Sequence, residues 1–82
     1  MSSSSDSPVG LVGRISRHGA IRPGRTGEVL VGIRGGIESF LARDADGGAI
    51  EAGTEVVVVE YQPPRVVVVT RLYAGSTEGS ST

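Results

Sequence analysis

The side chains that could carry out chemistry are few and scattered along this sequence. His18 is the only histidine and there is no cysteine. Transition-metal sites cluster several His, Cys or carboxylate ligands, so we expect none here. Asp44, Asp46 and Glu51 could belong to a Ca²⁺ loop, but they lack the further spaced acids and the closing Glu of an EF-hand. We interpret these acids as turn-forming residues and expect no metal and no cofactor.

Nucleophilic catalysis also lacks its residues. The serines lie almost entirely at the chain ends, and none has a G-x-S-x-G setting or a partner base. The run GIRGG, residues 32–36, lacks the spacing of a phosphate-binding loop and precedes a strand rather than a helix. His18 could sense an anion or pH, although we interpret it as a solvated loop residue. We therefore expect no catalytic residues and no enzyme.

The arginines offer a different chemistry, the recognition of anions. All eight basic residues are Arg, and the net charge is −1. A chain without net positive charge is a poor nucleic-acid binder on bulk electrostatics, and Phe40, Tyr61 and Tyr73 make a thin platform for base stacking. The alternative function that we keep open is anion or single-stranded nucleic-acid binding by Arg14, Arg17, Arg22, Arg25 and Arg34.

These side chains must be positioned by a fold that is organised around two runs of four valines, residues 56–59 and 66–69. Valine packs well on a pleated surface, and Pro63-Pro64 between the runs cannot continue a strand. The pattern predicts a β-hairpin with its turn near Gln62–Arg65.

Alternation within this hairpin predicts which valines face solvent. We expect Val56 and Val58, and likewise Val66 and Val68, to face inward. The residues between them would then form an outward apolar stripe, and such patches often mark association. The predicted partner-binding residues are Val57, Val59, Tyr61, Arg65, Val67 and Val69.

The rest of the chain predicts three more strands, at residues 9–16, 27–34 and 37–43. In the second, Val29, Val31 and Ile33 fall on one face, and Gly35-Gly36 predicts the hairpin turn that follows. Ile50 is expected to plug the end of the barrel or sheet. Five short strands with glycine-marked bends and no helical periodicity predict a small closed barrel.

The chain ends differ in composition from this barrel. Eighty-two residues make one small domain. We predict disordered Ser/Gly-rich tails at residues 1–8 and 74–82, with the domain at 9–73. Apolar runs of four residues are too short to span a membrane, and no secretory signal follows Met1.

The order of these features resembles the soluble C-terminal domain of the NfeD family. The likeness covers roughly Leu11 to Leu72: the IRPGRTGEV loop and strand, Ala42, the I-x-x-G of Ile50 and Gly53, and the apolar positions of the valine hairpin. The resemblance implies an all-β, five-stranded OB-fold Greek-key barrel. In that family the domain is usually tethered to transmembrane helices and linked to flotillin- or stomatin-type membrane scaffold proteins.

The resemblance therefore implies a non-enzymatic scaffold or adaptor module with a protein partner of the flotillin or stomatin type. Small size makes a homo-oligomer a reasonable source of extra stability. We expect a cytoplasmic location, or attachment to the membrane through a partner or through an anchor outside this sequence. Single-stranded nucleic-acid binding stays the alternative.

Overall fold

Five β-strands make up the regular secondary structure of the described part of the chain. The computed structural model describes residues 7–72, in which the strands are β1 Val12–Ile15, β2 Gly27–Ile33, β3 Gly36–Asp44, β4 Glu55–Gln62 and β5 Val66–Arg71. The predicted tails lie outside the described residues except for Ser7 and Pro8, and Pro8 is buried. No helix within the described part is long and apolar enough to cross a membrane.

The strands close into a barrel in the order β1-β2-β3-β5-β4. All neighbouring pairs are antiparallel except β3 and β5, which run parallel. Pairing of β1 with β4 closes the sheet, which leaves no open edge for another valine-rich strand to join. The prediction of an all-β, five-stranded barrel of the OB type is confirmed.

The core follows the predicted alternation on β2 and β3. Val29, Val31, Phe40 and Ala42 are buried, whereas Ile37 and Leu41 are exposed. One end of the barrel is covered by the predicted plug, Ile50. It bridges Ile21 through two backbone hydrogen bonds, with Ile21 N donating to Ile50 O at 2.9 Å and Ile50 N donating to Ile21 O at 3.0 Å.

The turn between β2 and β3 lies one residue earlier than predicted. Ile33 pairs with Gly36, so Arg34 and Gly35 form the two-residue turn, with φ of 51° and 80°. Two positive φ angles are typical of the type I′ turn that suits the twist of a hairpin. An arginine at positive φ costs roughly 1–2 kcal/mol. For that reason the sequence analysis predicted the turn at the two glycines, Gly35-Gly36.

The start of β2 requires glycine because another backbone segment lies against it. A Cβ added at Gly27 would lie 2.0 Å from the carbonyl oxygen of Gly19. Two hydrogen bonds hold the segments together, from Glu28 N to Gly19 O at 2.9 Å and from Ser16 N to Glu28 O at 3.0 Å. The β1–β2 loop is thus fixed on the barrel at its base.

Candidate functional site

The β4–β5 hairpin has the predicted strands and the predicted turn. β4 ends at Gln62, and Gln62 pairs with Val66 across the turn. On β4 the inward residues are Val56 and Val58, both buried as predicted. The outward residues are Val57, which is half-buried, and Val59, which is 46% exposed.

A β-bulge at Val59 interrupts the alternation of the hairpin. Val58 pairs with Val69, but the next pair is Glu60 with Val68, so Val59 is an extra residue with no partner on β5. A bulge of one residue shifts every later side chain of its strand to the opposite face. Beyond Val59, Glu60 therefore points outward and Tyr61 points inward.

The bulge also decides the orientation of β5, and here the sequence prediction was wrong. Val67 and Val69 are fully buried, whereas Val66 and Val68 lie on the outer face and are half-buried. Extending the inward face of Val56 and Val58 through the hairpin without a bulge places Val66 and Val68 inside. The extra residue inverts that assignment, so Val67 and Val69 are core residues rather than surface contacts.

The corrected outer face of this wall carries an apolar belt of six residues. Val12 lies opposite Val57 on β1 and β4, and Leu41 lies beside Val66 on β3 and β5. Paired residues on one face have Cβ atoms close enough to touch. The belt has members on four strands: Val12, Leu41, Val57, Val59, Val66 and Val68. Its β4 and β5 members do not lie directly opposite one another, because Val57 pairs with Thr70, and Val66 and Val68 pair with Gln62 and Glu60.

The belt is partly open to solvent and has polar side chains around it. Val12 is 49% exposed and Leu41 is 47% exposed. Arg14 and Glu55 form an exposed ion pair at 3.3 Å beside Val12 and Val57. An apolar centre with a polar, solvent-exposed rim is the usual arrangement of a protein-binding surface.

Two further predicted contact residues, Tyr61 and Arg65, brace the hairpin turn against β3. The Tyr61 hydroxyl donates to Pro64 O at 3.0 Å, and its ring meets Phe40 edge to face at 6.0 Å between centroids. Arg65 forms an ion pair with Glu38 at 3.4 Å, donates to Ser39 O, and lies 5.5 Å from the centroid of Phe40. Through these contacts both side chains hold the hairpin turn against β3, next to the belt.

The five arginines of the alternative function are not brought together. Arg14 is paired with Glu55 on the barrel wall. Arg22 and Arg25 precede β2 and Arg34 follows it, so they lie at opposite ends of that strand. Phe40 is buried and Tyr61 half-buried; Tyr73 is outside the described residues. This arrangement supplies neither a continuous basic groove nor a stacking platform within residues 7–72.

The structure instead brings Arg22 and Arg25 beside Arg43, a residue that the sequence analysis did not single out. All three line one cavity of about 170 Å³ between the β1–β2 loop and the β3–β4 loop. The Ile21–Ile50 bridge joins these two loops. Only Ile50 was predicted to plug the barrel end, and no signal in the sequence indicated that the two loops meet.

The remaining candidates for chemistry do not converge. No group of three or more His, Cys, Asp or Glu side chains within residues 7–72 is placed to hold a metal ion. His18 is exposed on the β1–β2 loop. Asp44 has the predicted turn-forming role, because its Oδ2 accepts from Gly48 N at 2.9 Å and its carbonyl accepts from Gly47 N at 2.9 Å.

Comparison with known proteins finds one matching family and similar solved structures. The model of the NfeD C-terminal domain family matches residues 12–70. The soluble domain of the NfeD protein YuaF from Bacillus subtilis is 31% identical, with a TM-score of 0.68 over 83% of this chain and 77% of that one. The C-terminal domain of a stomatin operon partner protein from Pyrococcus horikoshii is 29% identical, with a TM-score of 0.58 over 79% and 88%. No curated protein matches the chain.

Proposed function

Because the chain belongs to the NfeD C-terminal domain family, we propose that it is a protein-interaction module, a scaffold or adaptor whose partner is a stomatin-type protein. The observation that carries this proposal is the apolar belt on the outer wall of the barrel. Support for the partner class comes from the relative in Pyrococcus horikoshii, which is described as a stomatin operon partner.

The belt has the composition expected of a binding surface. The inward-facing residues of the same strands already fill the barrel core, so the core does not need Val12, Leu41 or Val59. Each of these three apolar residues is close to half exposed. Covering the exposed half of a valine contributes about 0.7 kcal/mol. Three residues that are close to half exposed, with three that are more buried, provide a modest driving force, which suits a reversible contact rather than a permanent one.

The geometry of the wall adds specificity to that driving force. The bulge at Val59 leaves an unpaired residue in the middle of β4, next to Glu60 and Gln62, whose side chains are joined by a hydrogen bond of 3.3 Å. A partner must therefore match an apolar centre and a nearby acidic group. Through such a partner the domain would be held at a membrane.

The experiment that tests the proposal replaces the centre of the belt with a charge. Val59→Asp introduces a carboxylate at an exposed position, so the fold is retained, while a carboxylate buried in the interface lacks a partner and weakens binding. We expect at least a tenfold rise in the Kd for a stomatin-type protein of the same organism, measured by isothermal titration calorimetry. Val12→Asp is expected to act in the same direction.

Ile37→Asp is the matched control, because Ile37 is 75% exposed on β3 but lies outside the belt. It should bind as the unchanged protein does. Equal binding by all three variants would remove the belt from the interface. If the belt instead joins two copies of this chain, sedimentation velocity of the domain alone would show a dimer that Val59→Asp converts to monomer, which would replace the stomatin-type partner with a second copy.

A further inference from the structure

The cavity at the plugged end of the barrel has the character of an anion site. It holds about 170 Å³ and is lined by two turns that face each other, one from the β1–β2 loop and one from the β3–β4 loop. A water molecule occupies roughly 30 Å³ of liquid, so the cavity has room for a tetrahedral oxyanion with part of its hydration shell.

Backbone hydrogen bonds fix both turns. In the first, Arg25 N donates to Arg22 O at 2.9 Å, and Gly24 takes a φ of +76°. In the second, Gly47 N donates to Asp44 O at 2.9 Å. The turns keep their relative position because Ile21 and Ile50 bridge directly beneath them. The cavity is thus formed by fixed backbone, which lowers the entropy lost when a ligand is bound.

Three exposed arginines are among the residues that line this cavity, Arg22, Arg25 and Arg43. Within residues 7–72 none of the three side chains makes a hydrogen bond or an ion pair with another residue, in contrast to Arg14, Arg65 and Arg71. The one acidic side chain in the lining is Asp44, and one of its oxygens already accepts the Gly48 amide. The lining therefore carries an excess of two positive charges.

We infer that this cavity binds a phosphate group, either as free inorganic phosphate or as a phosphomonoester. Guanidinium forks donate paired hydrogen bonds to phosphate oxygens, and a dianion matches the excess charge of the lining. Thr26 is also in the lining, and a threonine hydroxyl can donate a further hydrogen bond. Gly24 and Gly47, which also line the cavity, have no heavy atom within 4 Å of an added Cβ, so the space beside both turns is open.

This site is separate from the proposed protein-binding surface. It is formed by the β1–β2 and β3–β4 loops together with Arg43 and Asp44 at the end of β3. No cavity residue belongs to the belt, although Arg43 lies beside Val68 where β3 pairs with β5. Arg25 lies on the β1–β2 loop and not on a strand that carries the belt, so Arg25→Gln tests phosphate binding independently of partner binding. A phosphomonoester lipid and a dissolved phosphate present the same group to the cavity, and the experiment must distinguish these two sources.

The experiment follows backbone amide resonances of the ¹⁵N-labelled chain during titration with sodium phosphate, with sodium chloride lowered to hold ionic strength constant. Resonances of Gly24, Arg25 and Gly48 should shift and saturate. Arg25→Gln and Arg43→Gln should each weaken the apparent Kd about tenfold, because each removes a charge-assisted hydrogen bond. A second experiment mixes the chain with phosphatidylcholine vesicles, with and without phosphatidic acid, and measures how much of the chain cosediments with them.

Arg17→Gln is the matched control, since Arg17 is exposed on the same loop and carries the same charge but does not line the cavity. It should keep the phosphate Kd within a factor of two. Saturable shifts with dissolved phosphate, or cosedimentation with phosphatidic acid that Arg43→Gln abolishes, would each support the site and name its source. Absence of both, or an equal loss in Arg17→Gln, would overturn it.

Discussion

The orientation of β5 provides the sharpest test of the structure, because two adjacent valines of identical chemistry should behave differently. Val67 is fully buried in the barrel, whereas Val68 is half-buried on the outer face. We predict that Val67→Ala destabilises the domain much more than Val68→Ala. Both changes lower the β-propensity of the same strand equally, so the difference between them reports burial alone.

The magnitude follows from the atoms removed. Replacing valine by alanine deletes two methyl-sized groups, each worth about 0.8 kcal/mol when taken fully from water. The cavity left in a closed barrel raises the cost of Val67→Ala to about 2–3 kcal/mol. At Val68 part of the side chain is already in water and no enclosed cavity results, so we expect less than about 1 kcal/mol.

Urea unfolding followed by far-ultraviolet circular dichroism measures these differences. A domain of this size has a total stability of roughly 3–10 kcal/mol, so a loss of 2–3 kcal/mol moves the midpoint clearly. The slope of the transition should be unchanged, since the surface exposed on unfolding is nearly the same. Equal costs for the two variants, or a larger cost for Val68→Ala, would show that the bulge does not invert β5.

Two further predictions concern backbone positions, and circular dichroism during thermal unfolding measures both. Gly27→Ala should destabilise the domain by about 1–3 kcal/mol or prevent folding, because the new Cβ would lie 2.0 Å from Gly19 O. Gly32→Ala is the matched control on the same strand. Its Cβ would lie 3.9 Å from the nearest atom, so it should not destabilise the domain. Gly35→Ala should cost about 1–2 kcal/mol because φ is 80°, whereas Gly36→Ala should stay within about 0.5 kcal/mol. Comparable costs for both would return the turn to Gly35-Gly36.

Much of the barrel can be predicted from residue patterns because alternation and turn chemistry are local. On β2 and β3 the buried residues Val29, Val31, Phe40 and Ala42 match the predicted faces, even though the turn between them lies one residue away. The faces are fixed by which side chains are apolar, and a turn shift of one residue leaves that pattern unchanged. The Ile50 plug could be predicted for the same reason.

The valine hairpin could not be assigned in this way, because all eight positions of its two runs carry the same side chain. Alternation then gives no information about register, and a single bulge at Val59 is invisible in the sequence. Val67 and Val69 were for that reason assigned to the wrong face. The proximity of Arg43 to Arg22 and Arg25 depends on how two loops meet at the barrel end, which no local pattern records.

The proposal that the belt is a protein-binding surface is tested most directly by mapping the contact itself. We would record amide resonances of the ¹⁵N-labelled chain while adding a purified stomatin-type protein of the same organism. The account predicts that shifts and line broadening concentrate at Val12, Val57, Val59 and Val68, and are weak at Ile37. Perturbations confined to the β2–β3 turn or to the arginine-lined cavity, with the belt unchanged, would contradict it.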